Sequence, residues 1–365
     1  MVKCYILGAG ASYGYDDSKF DQMGSYLRPP LTNDFFKNGY RLGIFTKKQF
    51  PNLYSKILDY AILLKKEYTE DISNLDIDVE NFLSWLAEKF EESTSISLQS
   101  HQRNEEKYKE KLIESIEYQS ALGETFYFIF FLLKHYSLLY YPNNDSYQRL
   151  AIHSLKEKYN VISLNYDVLF EQAILKSNLD YRYGRGHFPF SIPIAKIHGS
   201  INLFNSIGRG IAFSGLIDDF FNVLVKNIYS NRINMANNIL IKNPEYLKGI
   251  DINELMPSGT EYYEPVIIPP LANYKDYEKV IAYEGIWKLA EEFLRDARDI
   301  IFIGCSIREE DEKFIELLSN NIHDGTQIIM VSPTYEKKWI KLKKIKENIK
   351  LKNGFRTFHK YSLTL

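Results

Sequence analysis

Apolar residues along this chain recur in two different periods. Short apolar runs at 2–7, 160–164, 193–197, 265–268, 299–303 and 327–331 read as buried strands, several of them rich in Val and Ile. Each ends near Gly, Asn, His, Ser or Pro, the residues that stop a strand and begin a turn. Between and after them, 168–176, 277–296, 309–319 and 334–349 carry helical spacing. Strands alternating with amphipathic helices predict an α/β fold, a Rossmann-like doubly wound parallel sheet covered on both faces.

Two stretches break the alternation and read as large helical insertions. Residues 35–159 are almost entirely helical in pattern; in "VENFLSWLAEKFEE", Phe82, Trp85, Leu86 and Phe90 fall on one helix face. The polar run "STSISLQSHQRNEEKYKEK" inside that region reads as an exposed connection. Residues 206–262 form the second break and contain another helical pattern, "DDFFNVLVKNIYSNRI". The nucleotide-binding core is therefore assigned to 1–34, 160–205 and 263–365.

Composition narrows the classes. Aromatic residues are abundant, with 28 Tyr and 23 Phe in 365 residues, while the net charge is only −2. No global field recruits nucleic acid or an anionic membrane. The greasiest run, 126–141, is interrupted by Lys134 and His135 and falls short of the roughly 20 apolar residues of a membrane span. It reads as a buried helix. The apolar run after Lys3 breaks at Gly8 and carries no secretory signal. The two cysteines, Cys4 and Cys305, cannot make a disulfide framework or a four-thiolate zinc site, so a reducing cytoplasm and no metal are expected.

In an open parallel sheet, ligands collect at the carboxyl ends of strands. The strand ends here deliver Gly8-Ala9-Gly10-Ala11-Ser12, Asn165-Tyr166-Asp167, His198-Gly199-Ser200, Gly304-Cys305-Ser306 and Ser332-Pro333. Glycine at 8 and 10 lets the backbone approach a pyrophosphate, whose oxygens the following amides can bind. A dehydrogenase fingerprint needs glycine at 13, where Tyr13 stands, and an acidic strand end where "RPPLTNDFF" runs instead. His198 closes an apolar strand before a glycine, and an imidazole there can exchange a proton at neutral pH. Asn165 supplies an uncharged donor and acceptor suited to a ribose or a water. Asp167 is also a good cap for the helix that follows. Cys305 reads as a small residue in a crowded turn.

Together these five motifs resemble a sirtuin-like domain, and "RPPLTNDFF" with "IREEDEKFIELL" resembles the bacterial antiphage branch of that family. The resemblance covers the core at both ends of the chain and leaves the insertions unexplained. It implies NAD as substrate, bound by Gly8, Ala9, Gly10, Ser12, Asp167, Gly199, Gly304, Cys305, Ser306 and Ser332, with Asn165 and His198 catalytic. Without the cysteine module and the arginine-bearing loop of the deacylases, it points to NAD hydrolysis rather than deacylation. A regulated defence effector of this kind implies a homo-oligomer and a separate sensor, a HerA-type DNA translocase in preference to an Argonaute-type protein. A non-catalytic NAD or ADP-ribose sensor is the alternative. The segment "KKWIKLKKIKENIKLKN" has eight lysines against one Glu, with Trp339, Leu342, Ile345 and Ile349 at helical spacing. It reads as a solvated surface helix in preference to a nucleic-acid contact.

Overall fold

The computed structural model describes residues 3–14, 28–64, 76–100, 105–139, 145–184, 190–208, 238–250, 261–268 and 281–365. Two compact units emerge: Met1–Pro29 with Lys134–Leu365, and Pro30–Leu133. The strands described are β1 (Lys3–Leu7), β2 (Asn160–Ser163), β3 (Asp180–Tyr183), β4 (Ser191–Lys196), β5 (Gly199–Gly208), β6 (Asn238–Leu240), β7 (Glu261–Ile267), β8 (Asp299–Ile303), β9 (Gln327–Val331) and β10 (Lys350–Phe355). The helices are α1 (Ala9–Tyr13), α2 (Phe35–Arg41), α3 (Pro51–Leu63), α4 (Val79–Ser100), α5 (Glu105–Leu139), α6 (Asp145–Glu157), α7 (Leu169–Lys176), α8 (Ile281–Asp296), α9 (Glu312–Asn321), α10 (Tyr335–Ile345) and α11 (Phe358–Ser362).

Seven strands of the first unit form one parallel sheet in the order β10-β9-β8-β1-β2-β4-β3. Successive side chains of a strand point to opposite faces, and here both faces are covered. Cys4, Ile6, Ile300, Phe302, Ile328 and Met330 pack on one side beneath α8, α9 and α10. Tyr5, Leu7, Ile301, Ile303, Val161 and Ile194 pack on the other beneath α6, α7 and α11. This two-sided burial is why the strands read as continuous apolar runs, and it makes the sheet doubly wound.

From β1 the chain passes to β2, then to β3 at the edge and back to β4 between them, and later lays β8, β9 and β10 on the other side of β1. The order therefore reverses between β1 and β8, the switch point at which such sheets open a crevice. Leu7 pairs with Ser163 and Ile303, Ile303 with Val331, and Ser163 with Lys196. Ser332, Gly304 and Gly8 stand one residue beyond those positions, and Asn165 and His198 two beyond Ser163 and Lys196, so all five lie along the carboxyl edge.

Elsewhere the structure departs from the sequence reading. The run 265–268 was expected in the parallel sheet, but it forms the end of β7 and the residue just after it. That strand pairs antiparallel with β5 in a separate sheet ordered β6-β5-β7. Gly199, at φ +87°, turns the chain out of β4 and into β5, and a short apolar run carries no record of its partner. The described parts of 206–262 are strands and a 3-10 turn at Pro244–Gly249 rather than helix; "DDFFNVLVKNIYSNRI" lies outside the described residues. The last amphipathic helix stops at Ile345 instead of reaching 349, and Lys350–Phe355 becomes an edge strand on β9. Lysines on that strand suit an edge that must stay unpaired on its outer side. Trp339, Leu342 and Ile345 still pack their stripe against the sheet.

Helix α6 falls inside the stretch assigned to the first insertion, yet its Tyr147, Leu150 and Ala151 belong to the core under the sheet. The polar connection expected after Glu92 is mostly helical, with α4 running to Ser100 and α5 starting at Glu105. The second unit is a helical body with an aromatic centre. Phe36 stacks on Phe128 at 5.5 Å and meets Phe82 edge-on at 5.3 Å, and Leu86 and Phe90 are buried as their spacing predicts. No described helix is long and apolar enough to cross a membrane.

Candidate functional site at the carboxyl edge of the sheet

The first loop after β1 is held by backbone. Gly8 N–H donates to Ile303 O at 3.0 Å, Gly10 N–H to Gly304 O at 3.0 Å, and Ala11 N–H to Gly8 O at 2.8 Å. A Cβ on Gly8 would sit 2.6 Å from Cys305 Cα, and one on Gly10 would sit 2.8 Å from Gly304 O. These glycines are thus needed so that two loops can touch across the switch point. The sequence reading gave them to a ligand's pyrophosphate, with the following amides as donors; two of those amides, of Gly10 and Ala11, are taken within the protein. Ala9 is the first helical residue, and its N–H is one that no turn of its own helix can use.

Beside that loop, Ser12, Tyr147, Asn165 and Asp167 form one buried polar cluster. Ser12 Oγ donates to Asp167 Oδ2 at 2.7 Å. Its only proton is then spent, so the Tyr147 hydroxyl at 2.9 Å must donate to it. Asn165 Nδ2 donates to the same oxygen at 3.2 Å. This hub fixes the orientation of the Asn165 amide: nitrogen toward Ser12, oxygen away. Asn165 is only 6% exposed, and its Oδ1 is buried without a hydrogen-bond partner. A buried carbonyl left unsatisfied costs about 1–3 kcal/mol, so it marks a place where a ligand hydroxyl or a water belongs.

Asp167 works inside the cluster. Its other oxygen accepts from Leu169 N–H at 3.0 Å, closing a turn just ahead of α7, whose N-cap is Val168 rather than the expected Asp167. Burial raises its pKa, opposed by the Lys196 charge, the Ser12 hydrogen bond and the Leu169 amide. Lys196 lies directly beneath, donating to the carbonyl of Asp167 and pairing with Glu171 at 3.0 Å, both side chains almost fully buried. Glu171 also accepts from the Tyr183 hydroxyl at 2.8 Å, and Asn202 Oδ1 lies 3.1 Å from the same hydroxyl as an alternative acceptor. The floor of the site is therefore a closed ionic network.

His198 stands in the turn two residues past β4, as Asn165 stands two residues past β2, one strand across, where neighbouring backbones lie about 4.8 Å apart. Its carbonyl accepts from Ile268 N–H at 2.9 Å, and Gly199 at positive φ follows immediately. Nε2 of His198 lies 3.3 Å from Oδ2 of Asp311, with both residues buried. The other oxygen of Asp311 accepts from Phe314 N–H at 3.2 Å and caps α9.

The remaining predicted residues are more scattered. Gly304, at φ +64°, donates its N–H to Val331 O at 2.8 Å and packs on Gly10. Cys305 turns inward, its thiol on Ile6 O at 3.1 Å; burial pushes its pKa up to about 12, with the Lys338 charge pulling the other way. It is no nucleophile at neutral pH. Ser306 is exposed, while Ser332 is buried in a turn, accepting from Thr334 N–H at 3.3 Å. Asp311, Tyr147 and Lys196 were missed by sequence reasoning. Only Asp311 had a local signal, as an acidic cap before "EKFIELL". Among the described residues no group of three or more His, Cys, Asp or Glu could hold a metal ion.

No protein-family model and no curated protein sequence matches this chain. Among solved structures, it is similar to a histidine-mutant Sir2 homologue in complex with ADP-ribose. The identity is 11% over 99% of this chain and 88% of that one, with a TM-score of 0.38. A Sir2 mutant bound to a p53 peptide and NAD is similar at 11% identity, over 100% of this chain and 91% of that one, with a TM-score of 0.37. A Sir2 homologue in complex with NAD follows at 11%, over 91% and 78%, with a TM-score of 0.32. The doubly wound, Rossmann-like fold rests on the strand order and two-faced sheet of this chain itself.

Proposed function

We propose that this chain is an NAD hydrolase that releases nicotinamide and leaves ADP-ribose, working as a regulated antiphage effector that depletes cellular NAD. One observation carries the reading: the buried, unpartnered Oδ1 of Asn165, aimed by Ser12 and set one strand from His198. The row from Ser332 to His198 crosses four strand intervals, about 19 Å at the usual strand spacing, a length suited to an extended dinucleotide. In this reading the crevice between β1 and β8 takes the phosphates, near the Ala9 amide. The nicotinamide ribose lies toward Asn165 and His198.

The bond between ribose C1′ and the nicotinamide nitrogen breaks with its electron pair going to the ring, which leaves neutral. Asn165 Oδ1 accepts from a ribose hydroxyl or from the attacking water. The water oxygen bonds to C1′ as its proton passes to His198. No carboxylate nucleophile is needed, because the leaving group departs from a cationic ring. A separate sensor, a HerA-type translocase in preference to an Argonaute-type protein, together with self-assembly, supplies the control that an NAD-consuming enzyme requires.

The test is nicotinamide release by the full chain, alone and with its genomic neighbour's product. Asn165→Ala and His198→Ala should each lower turnover by at least about 10²-fold while the thermal transition stays near that of the parent. Full turnover in both variants sinks the assignment of roles. Saturable NAD binding with no release in the assembled complex would make the chain a sensor.

The orienting hub gives a second, sharper expectation. In Asp167→Asn, Leu169 N–H still needs an acceptor, so the new amide nitrogen faces Ser12 and donates to it. The Ser12 proton is then free to turn toward Asn165, whose amide inverts and presents nitrogen in place of oxygen. Turnover should fall about 10²-fold, as when one aimed polar group is lost from a site. A crystal structure of the variant should show the Asn165 amide reversed; unchanged turnover would remove the hub from the account.

A further inference from the structure

The pairing of His198 with Asp311 brings together residues from opposite sides of the switch point, and nothing in the capping of α9 requires it. A helix cap needs one carboxylate oxygen, and Phe314 N–H takes Oδ1 at 3.2 Å. The second oxygen is turned to His198 Nε2 at 3.3 Å, in surroundings where both side chains are buried. Among the described residues, Asp311 is a charged side chain that faces His198. The aromatic neighbour is Tyr166, its ring centroid 6.4 Å away and its hydroxyl donating to Ile268 O at 3.1 Å.

We propose that Asp311 is a positioning residue that fixes the tautomer of His198, so that the base of this site is Nδ1. This rests on the hydrolase reading for its catalytic meaning, though not for its geometry. A carboxylate cannot donate a hydrogen bond, so a neutral imidazole facing it keeps its proton on Nε2. The lone pair is then on Nδ1, which is the nitrogen able to take a proton from a ribose hydroxyl or a water. When that proton arrives, the imidazolium is stabilised by the charge already waiting beside Nε2. The 3.3 Å separation is long and the ring N–H is not well aimed at the carboxylate, as is common in sites that tighten only when substrate is bound.

Asp311→Asn separates this role from capping. The cap requires an acceptor for Phe314 N–H, so the amide oxygen stays there and the amide nitrogen turns to His198. An N–H donor opposite Nε2 selects the other tautomer, with the proton on Nδ1 and the lone pair pointing the wrong way. The experiment uses the full chain labelled with 15N-histidine, the His198 ring assigned by its loss in His198→Gln. The parent should show the Nε2-protonated form and Asp311→Asn the Nδ1-protonated form. In parallel, kcat for nicotinamide release should fall at least about 10²-fold with KM within about threefold. Asp311→Ser, which keeps a capping oxygen but reaches His198 with nothing, should give a mixture of tautomers and an intermediate rate.

An unchanged tautomer in folded Asp311→Asn overturns the proposal, as does an inverted tautomer with unchanged kcat. If the tautomer inverts but the parent never cleaves NAD, even in its assembled complex, the positioning of His198 stands and the hydrolase reading fails.

Discussion

Gly304→Ala should destabilise the first unit by at least about 4 kcal/mol, enough to leave the chain largely insoluble or with a sharply lowered thermal transition. Two costs combine. The residue sits at φ +64°, where any side chain costs about 1–2 kcal/mol. The larger cost is steric: an added Cβ would stand 2.0 Å from Ala11 N and 2.2 Å from Gly10 C, both backbone atoms that no rotamer change can move. Relief would have to part the β1 and β8 loops, breaking the Gly10 N–H to Gly304 O and Gly8 N–H to Ile303 O bonds. Gly325→Ala is the control, because Gly325 has φ +81° but open space around its Cα. It should cost only the backbone term, near 1 kcal/mol. Equal stability losses at the two positions would mean that the loops do not meet as described.

Lys196→Met should cost about 3–5 kcal/mol, since it strands the Glu171 carboxylate in the interior without its counter-charge. It also deprives the Asp167 carbonyl of its ammonium donor. Coulomb attraction does not make such a pair a net source of stability, because desolvating both ions offsets it. The decisive comparison is the double variant Lys196→Met with Glu171→Gln. The glutamine still offers Tyr183 an acceptor and leaves no charge behind, so more than half of the loss should be recovered. Additive losses in denaturant unfolding would show that the pair is not coupled. The recovered double variant should nonetheless lose turnover, since Lys196 supports the Asp167 segment on which the Ser12 hub depends.

Much of the architecture was legible in the chain because burial on both sheet faces writes itself as unbroken apolar runs. The strands Asp299–Ile303 and Gln327–Val331 fall where the pattern puts them, and Lys3–Leu7 and Asn160–Ser163 within a residue. Two kinds of element escaped. The edge strand Lys350–Phe355 is polar because only one of its sides must be covered, so it looked like the tail of a lysine-rich helix. The antiparallel sheet was invisible because pairing direction is set by the Gly199 turn, and a run such as 265–268 is equally apolar in either sheet.

By itself the sequence determined which residues stand at the strand ends, since a strand stops where small and polar residues replace Val and Ile. That placed Asn165, His198 and the Gly8 and Gly304 loops on one edge before any coordinate was known. Only the tertiary structure decided what each of them does there. Gly8 and Gly10 serve a contact with Gly304, a residue distant in the chain. The Asn165 amide is oriented by Ser12, whose single proton is committed to Asp167. His198 meets Asp311 from the far side of the switch point. Hydrogen-bond direction and close approach depend on distances across strands, and residue type along one strand does not encode them.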